Sequence, residues 1–154
     1  MEYKARFECF EKCGETYALD EVVYRCRKCN ALLEVVHDLE ALKQQSADQW
    51  KTLFDSRLGT IQWPFASGIW SKKELVNPVI DPENIISMCE GNTNLFWAKR
   101  LGTILGLDDL WIKQCGVTHT GSFKDLGMTV LVSQVNDMIA KGKNIKAVAC
   151  ASTG

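Results

Sequence analysis

At 154 residues, 46% of them hydrophobic and 24% charged, the chain is long enough to bury an ordinary core and has the composition of a globular domain. Eighteen basic against nineteen acidic side chains leave a net charge of −1, so nothing electrostatic points to nucleic acid or an anionic membrane as partner. The apolar runs are short and broken by charge, which excludes a transmembrane helix. Met1-Glu2-Tyr3-Lys4 does not open a secretory signal, so the expected compartment is the cytoplasm.

Residues 1–36 form a cysteine-bearing lobe with short β-like runs at Glu21 to Tyr24 and Leu32 to Val36. Cys9-x3-Cys13 and Cys26-x2-Cys29 are two pairs separated by twelve residues, and Gly14 and Asn30, both tolerant of positive φ, follow the second cysteine of each pair. This is a zinc-ribbon layout, in which four thiolates close a tetrahedron and replace the core that so small a lobe cannot build. Buried free thiols or disulfides are the alternatives. Cys89, Cys115 and Cys150 lack such spacing and read as small buried side chains.

Residues 37–83 read as a helical and extended connection. His37 reads as a solvent-facing turn residue, Leu39 to Gln45 as a helix, and Ala47 to Leu58 as a second helix behind the capping box Ser46-x-x-Gln49. Thr60 to Pro82 is a long connection that holds Trp63, Trp70 and all three prolines. From residue 84 an αβαβ rhythm is expected, with no internal repeat.

Within that last zone, Leu110 to Gln114 reads as a strand and Cys115 to Gly121 as a loop. Leu126, Val130, Leu131, Val135, Met138 and Ile139 recur at helical spacing until Gly142, and Ile145 to Ala151 reads as a further strand. Lys124 therefore stands at a helix N-terminus, where the dipole disfavours an ammonium. With Phe123 desolvating it, such a lysine is a candidate nucleophile towards an aldehyde. The alternative is a surface lysine on a first turn. His119, five residues earlier, is a candidate for a role beside the same site.

Gly121-Ser122-Phe123-Lys124-Asp125 resembles the cofactor-lysine motif of the fold-type II pyridoxal-phosphate enzymes. Glu90-Gly91-Asn92-Thr93-Asn94-Leu95 resembles their Glu-Gly-x-Thr-Pro-Leu loop, with Asn94 in place of the proline, and Ala151-Ser152-Thr153-Gly154 resembles the start of their Ser-Thr-Gly-Asn-Thr loop. Within that family, Trp63 to Glu74, Asn94 to Ala98 and the Lys124 string are most similar to the plant-type threonine synthases, over nearly all of the chain beyond Asp20.

The resemblance implies an α/β fold: the N-terminal part of a fold-type II pyridoxal-phosphate enzyme, an open αβα sheet beginning in residues 84–154, preceded by the zinc-ribbon-like lobe. It implies conversion of O-phosphohomoserine and water to L-threonine and phosphate. Lys124 would hold pyridoxal phosphate and move protons, Phe123 would pack near the ring, and Ser152 and Thr153 would receive the substrate carboxylate. One structural zinc on Cys9, Cys13, Cys26 and Cys29 would be the second cofactor. S-adenosylmethionine activation is implied near Pro64, Phe65, Ala66 and Asn94, with a homodimer as the assembly and a plastid location in a plant or alga. The cofactor-phosphate loop is expected beyond Gly154, so the chain is expected to be an N-terminal fragment, inactive alone. Other readings are a different fold-type II lyase, such as a threonine dehydratase or cysteine synthase, and a non-enzymatic zinc-ribbon binding module.

Overall fold

A computed structural model describes residues 3–149. The chain opens with a three-stranded antiparallel sheet in the order β2-β1-β3, built from β1 (Ala5–Cys9), β2 (Thr16–Tyr17) and β3 (Leu33–His37). Phe7 of β1 faces Tyr17 on one side and Val35 on the other, and Cys9 faces Leu33. β3 lies close to the expected run, whereas β1 escapes a hydrophobicity reading because Arg6 and Glu8 interrupt it, and β2 is only two residues long. The run Glu21 to Tyr24 is not a strand. The Glu21 carboxylate accepts from Ala18 N (3.1 Å) and Glu21 N donates to Ala18 O (3.1 Å), closing a turn, while Val22 and Tyr24 stay exposed. His37 ends β3 rather than facing solvent in a turn, and its Nδ1 is buried without a partner among the described residues.

α1 (Leu39–Leu42) is shorter than expected; Asp38 caps it by accepting from Ala41 N. α2 (Ala47–Ser56) carries the capping box read from Ser46 and Gln49, with both reciprocal hydrogen bonds made. Trp50 stacks on Phe54 and tilts against Tyr3, each pair 5.5 Å apart, which ties α2 to the first strand's approach. A 3-10 turn at Trp70–Lys72 then leads into α3 (Lys73–Val76). Arg57, just past α2, reaches this segment with a two-pronged ion pair to Glu74 (2.7 and 2.8 Å) and a hydrogen bond to Ser71 O (2.7 Å).

β4 (Leu95–Trp97), α4 (Lys99–Leu105), β5 (Trp111–Lys113) and α5 (Asp125–Ala140) follow. Gly106, left-handed at φ 72°, ends α4. β4 and β5 pair antiparallel, with Trp97 opposite Trp111, so the described strands of this zone make a two-stranded antiparallel ladder and not the expected open sheet. Residues 145–149 have no regular structure, and the end of the expected strand lies outside the described residues. The whole is a mixed α/β arrangement.

α5 corrects the simplest helical reading. The residues it buries are Thr129, Ser133, Asp137 and Met138, while Leu131 and Ile139 are 41% and 46% exposed. The stripe Thr129, Ser133, Asp137 bonds the backbone of the segment 81–86 that lies along the helix: Thr129 Oγ1 donates to Ile86 O (2.7 Å), Ile86 N donates to Ser133 Oγ (2.8 Å), and Asp81 N donates to Asp137 Oδ1 (3.3 Å). Asn84 N and Ile85 N bond within the segment's own 3-10 turn at Pro82–Asn84, while Asp81 and Ile86 at its ends satisfy their backbone groups through these side chains. The apolar cluster beside this seam is Trp70, Ile80 and Ile85, backed by Val76 and Val130.

Candidate functional site

Lys124 stands at the start of α5 with helical backbone angles (φ −62°, ψ −23°). Its carbonyl accepts from Gly127 N (3.0 Å) and Met128 N (2.9 Å), which fixes the residue to the first turn. The side chain is exposed, and its amine makes no hydrogen bond or ion pair among the described residues. Phe123 is 63% exposed, so the desolvation expected of it is not supplied within the described residues.

The loop before Lys124 folds onto Asp125. Thr118 Oγ1 donates to Asp125 Oδ2 (2.6 Å), Thr120 N to the same oxygen (3.0 Å), and Thr120 Oγ1 to Oδ1 (2.6 Å). The Thr118 and Thr120 hydroxyls, then the Thr120 amide, hold the Asp125 carboxyl below its ordinary range. His119 anchors the other side of the loop, its Nε2 lying 2.7 Å from Met88 O. The clasp was missed in the sequence, although a threonine pair shortly before an aspartate at a helix start is a signal for it.

Met88 and Glu90 belong to the second motif. Glu90 is 6% exposed; its carboxylate accepts from Ser87 Oγ (2.7 Å), Met88 N (2.8 Å) and Ser67 Oγ (3.3 Å). Burial alone would raise its pKa, but the Ser87 and Met88 donors outweigh it and hold the group below its ordinary range. Gly91 takes φ 97° and packs backbone to backbone on Gly68; a Cβ at Gly68 would stand 2.1 Å from Asn92 N. This close approach joins the Trp63 to Glu74 run to the Glu90 loop. Between that loop and α5 lies a cavity of about 180 Å³ lined mostly by apolar atoms, with Glu90, His119, Thr120 and Asp125 at its wall.

The four paired cysteines come together. Their sulphurs all lie within 4.8 Å of one another, with Cys9 to Cys29 at 3.3 Å, Cys13 to Cys26 at 3.4 Å and Cys13 to Cys29 at 3.6 Å. Lys12 and Asn30, each next to a cysteine of one pair, take left-handed angles at φ 52° and 61°. Burial pushes the Cys26 thiol up, but donors from Cys29 N, the Tyr17 hydroxyl and Lys28 N bring it down to about 6. Such a set can hold a soft or borderline divalent metal. Of the remaining cysteines, Cys89 is exposed and Cys115 half-buried, against the expectation of burial, and Cys150 lies outside the described residues.

Ser152 and Thr153 also lie outside the described residues. Pro64, after a cis peptide bond, is buried, and the Phe65 ring lies under the Arg57 guanidinium at 4.0 Å. Ala66 O accepts from Asn92 Nδ2 at 3.4 Å. Asn94 is exposed and lends its carbonyl to Gln114 N (2.9 Å), extending the β4–β5 ladder.

Residues 86–154, which include Lys124, the Glu90 loop and α5, match the family model of the pyridoxal-phosphate dependent enzymes. The relatives are more particular. The chain is similar to threonine synthase 2, chloroplastic, of Arabidopsis thaliana, 57% identical over 91% of this chain and 27% of that protein. It is also similar to the threonine synthases of Methanocaldococcus jannaschii (38% identical, 93% of this chain and 31% of that protein) and Methanosarcina acetivorans (35% identical, 96% and 31%). The chain thus spans roughly 27% to 31% of the length of these relatives. No helix among the described residues is long and apolar enough to cross a membrane.

Proposed function

We propose that the protein is a threonine synthase, a pyridoxal-phosphate-dependent lyase that converts O-phosphohomoserine and water to L-threonine and phosphate. The observation that carries the reading is Lys124, an unpaired amine at the start of α5, inside the stretch similar to this enzyme family. No carboxylate among the described residues pairs with that amine, so its Nζ is open to a group bonded through an amine nitrogen.

Pyridoxal phosphate, when bound, supplies an electron sink that lets protons leave the substrate's Cα and Cβ and lets the γ-phosphate depart. Lys124 would hold the group through Nζ and, once free of it, would accept and return protons at those carbons. Phe123 would pack beside the ring. Ser152 and Thr153 would begin the loop that receives the substrate carboxylate. The proposal extends to a homodimer activated by S-adenosylmethionine near Pro64, Phe65, Ala66 and Asn94, and to work in a plastid, as the name of the Arabidopsis relative, a chloroplastic enzyme, indicates for that protein.

Cys9, Cys13, Cys26 and Cys29 would hold one structural zinc in the same proposal. With zinc–sulphur bonds of about 2.3 Å a tetrahedron has edges of about 3.8 Å; three sulphur separations of 3.3 to 3.6 Å lie near that and far from a disulfide's ~2.05 Å, and all lie within 4.8 Å.

The activity is tested by presenting O-phosphohomoserine, threonine and O-acetylserine to the purified full-length protein. Phosphate release from the first, lost in Lys124→Ala, is expected. Turnover of either of the others in preference would assign a different lyase.

A further inference from the structure

The clasp on Asp125 does more than start a helix. Asp125 is the first residue of α5, yet among the described residues the donors to its carboxylate come from the loop behind it: Thr118 Oγ1 (2.6 Å), Thr120 N (3.0 Å) and Thr120 Oγ1 (2.6 Å). Lys124 lies between these two ends. Its carbonyl is held by the helix, and its own amide donates to Ser122 Oγ (3.3 Å). The loop contains Gly116 and Gly121, the latter at φ 76°, so its backbone has little intrinsic stiffness and depends on such bonds for a fixed path. Besides the carboxylate contacts, Asp125 N donates to Ser122 O (3.1 Å) and Val117 N to Gln114 O (3.2 Å), and His119 reaches Met88 O (2.7 Å).

We infer that Asp125 is a positioning residue for Lys124, binding the Thr118 to Ser122 loop to the first turn of α5 so that the lysine is presented in one direction. This rests on the reading of Lys124 as the cofactor lysine. The carboxylate offers about four lone-pair sites, and three donor contacts already engage it. With three donors on it, the carboxylate is tied to the loop, and the neighbouring Lys124 amine makes no ion pair among the described residues. Hydrogen bonds to a charged group are the strong ones, and the first turn of a helix favours the negative charge as well.

The test uses the full-length protein stripped of cofactor and then given pyridoxal phosphate, with borohydride reduction at timed intervals and quantification of the modified Lys124 peptide. Asp125→Asn, Asp125→Ala and Thr120→Val should each slow modification of Lys124, the aspartate variants by about tenfold or more. The double variant Asp125→Ala/Thr120→Val should be no slower than Asp125→Ala, because both remove one clasp. Visible circular dichroism per bound cofactor, which reports a fixed ring orientation, should fall in the same variants while the far-ultraviolet signal holds. Should Asp125→Ala fold poorly, Asp125→Asn and Thr120→Val carry the comparison. Unchanged rates in those two, or additive effects in the double variant, overturn the inference. Modification of a different lysine in the unaltered protein overturns the Lys124 reading itself, and the positioning role with it.

Discussion

The indole Nε1 of Trp70 donates a hydrogen bond to Thr129 Oγ1 at 2.9 Å, fifty-nine residues apart in the chain. Trp70 is fully buried, and the Thr129 hydroxyl in turn donates a hydrogen bond to Ile86 O (2.7 Å). One hydroxyl thus joins the Trp63 to Glu74 run, the segment before the Glu90 loop, and the helix that begins at Lys124.

Thr129→Val should leave the indole N–H buried without an acceptor, at a cost of about 1–3 kcal/mol. Thr129→Ser keeps the oxygen and should cost less than about 1 kcal/mol. Urea unfolding of both variants checks the difference; equal losses would mean that packing rather than the hydrogen bond matters at this position.

Acid should weaken the same region. Burial raises the Glu74 carboxyl, but the Arg57 ion pair outweighs it and holds the group below its ordinary range. A depressed folded-state pKa means that the unfolded chain takes up the proton first. The contribution is therefore present above the unfolded value of about 4.3 and is lost as pH falls through the folded value. Asp137, where Lys141 and Asn84 outweigh burial, acts with the same sign. Denaturant midpoints should fall as pH drops below about 5, and Glu74→Gln should flatten part of that fall. A midpoint that rose on acidification would contradict the assignment.

Much of this was legible in the sequence where chemistry is local. The Ser46–Gln49 capping box forms as its spacing indicates, the four cysteines converge from knuckle spacing alone, and Lys124 falls at the predicted helix start. What was not legible depends on partners distant in the chain. β1 and β2 are strands because they pair with each other and with β3, and α5 buries a polar stripe because residues 81–86 need hydrogen-bond partners. The Gly68–Gly91 contact likewise joins residues whose separate glycines carry no signal of each other. Periodicity reports which residues are apolar; it does not report which backbone lies alongside them.

Removal of metal should uncouple the N-terminal lobe. The full-length protein should contain one zinc per chain, and Cys26→Ser or a strong chelator should abolish it and lower the melting midpoint of the lobe. Cys89→Ser and Cys115→Ser should retain it. Metal analysis returning no zinc from protein purified under reducing, chelator-free conditions would remove the site from the account.

The most direct measurement is the address of the cofactor. Borohydride reduction of the full-length protein loaded with pyridoxal phosphate, followed by digestion and mass spectrometry, should place the added mass on Lys124, and Lys124→Ala should lose it while Lys113→Ala and Lys99→Ala keep it. Trapped cofactor persisting in Lys124→Ala at the level of the unaltered protein would contradict the account.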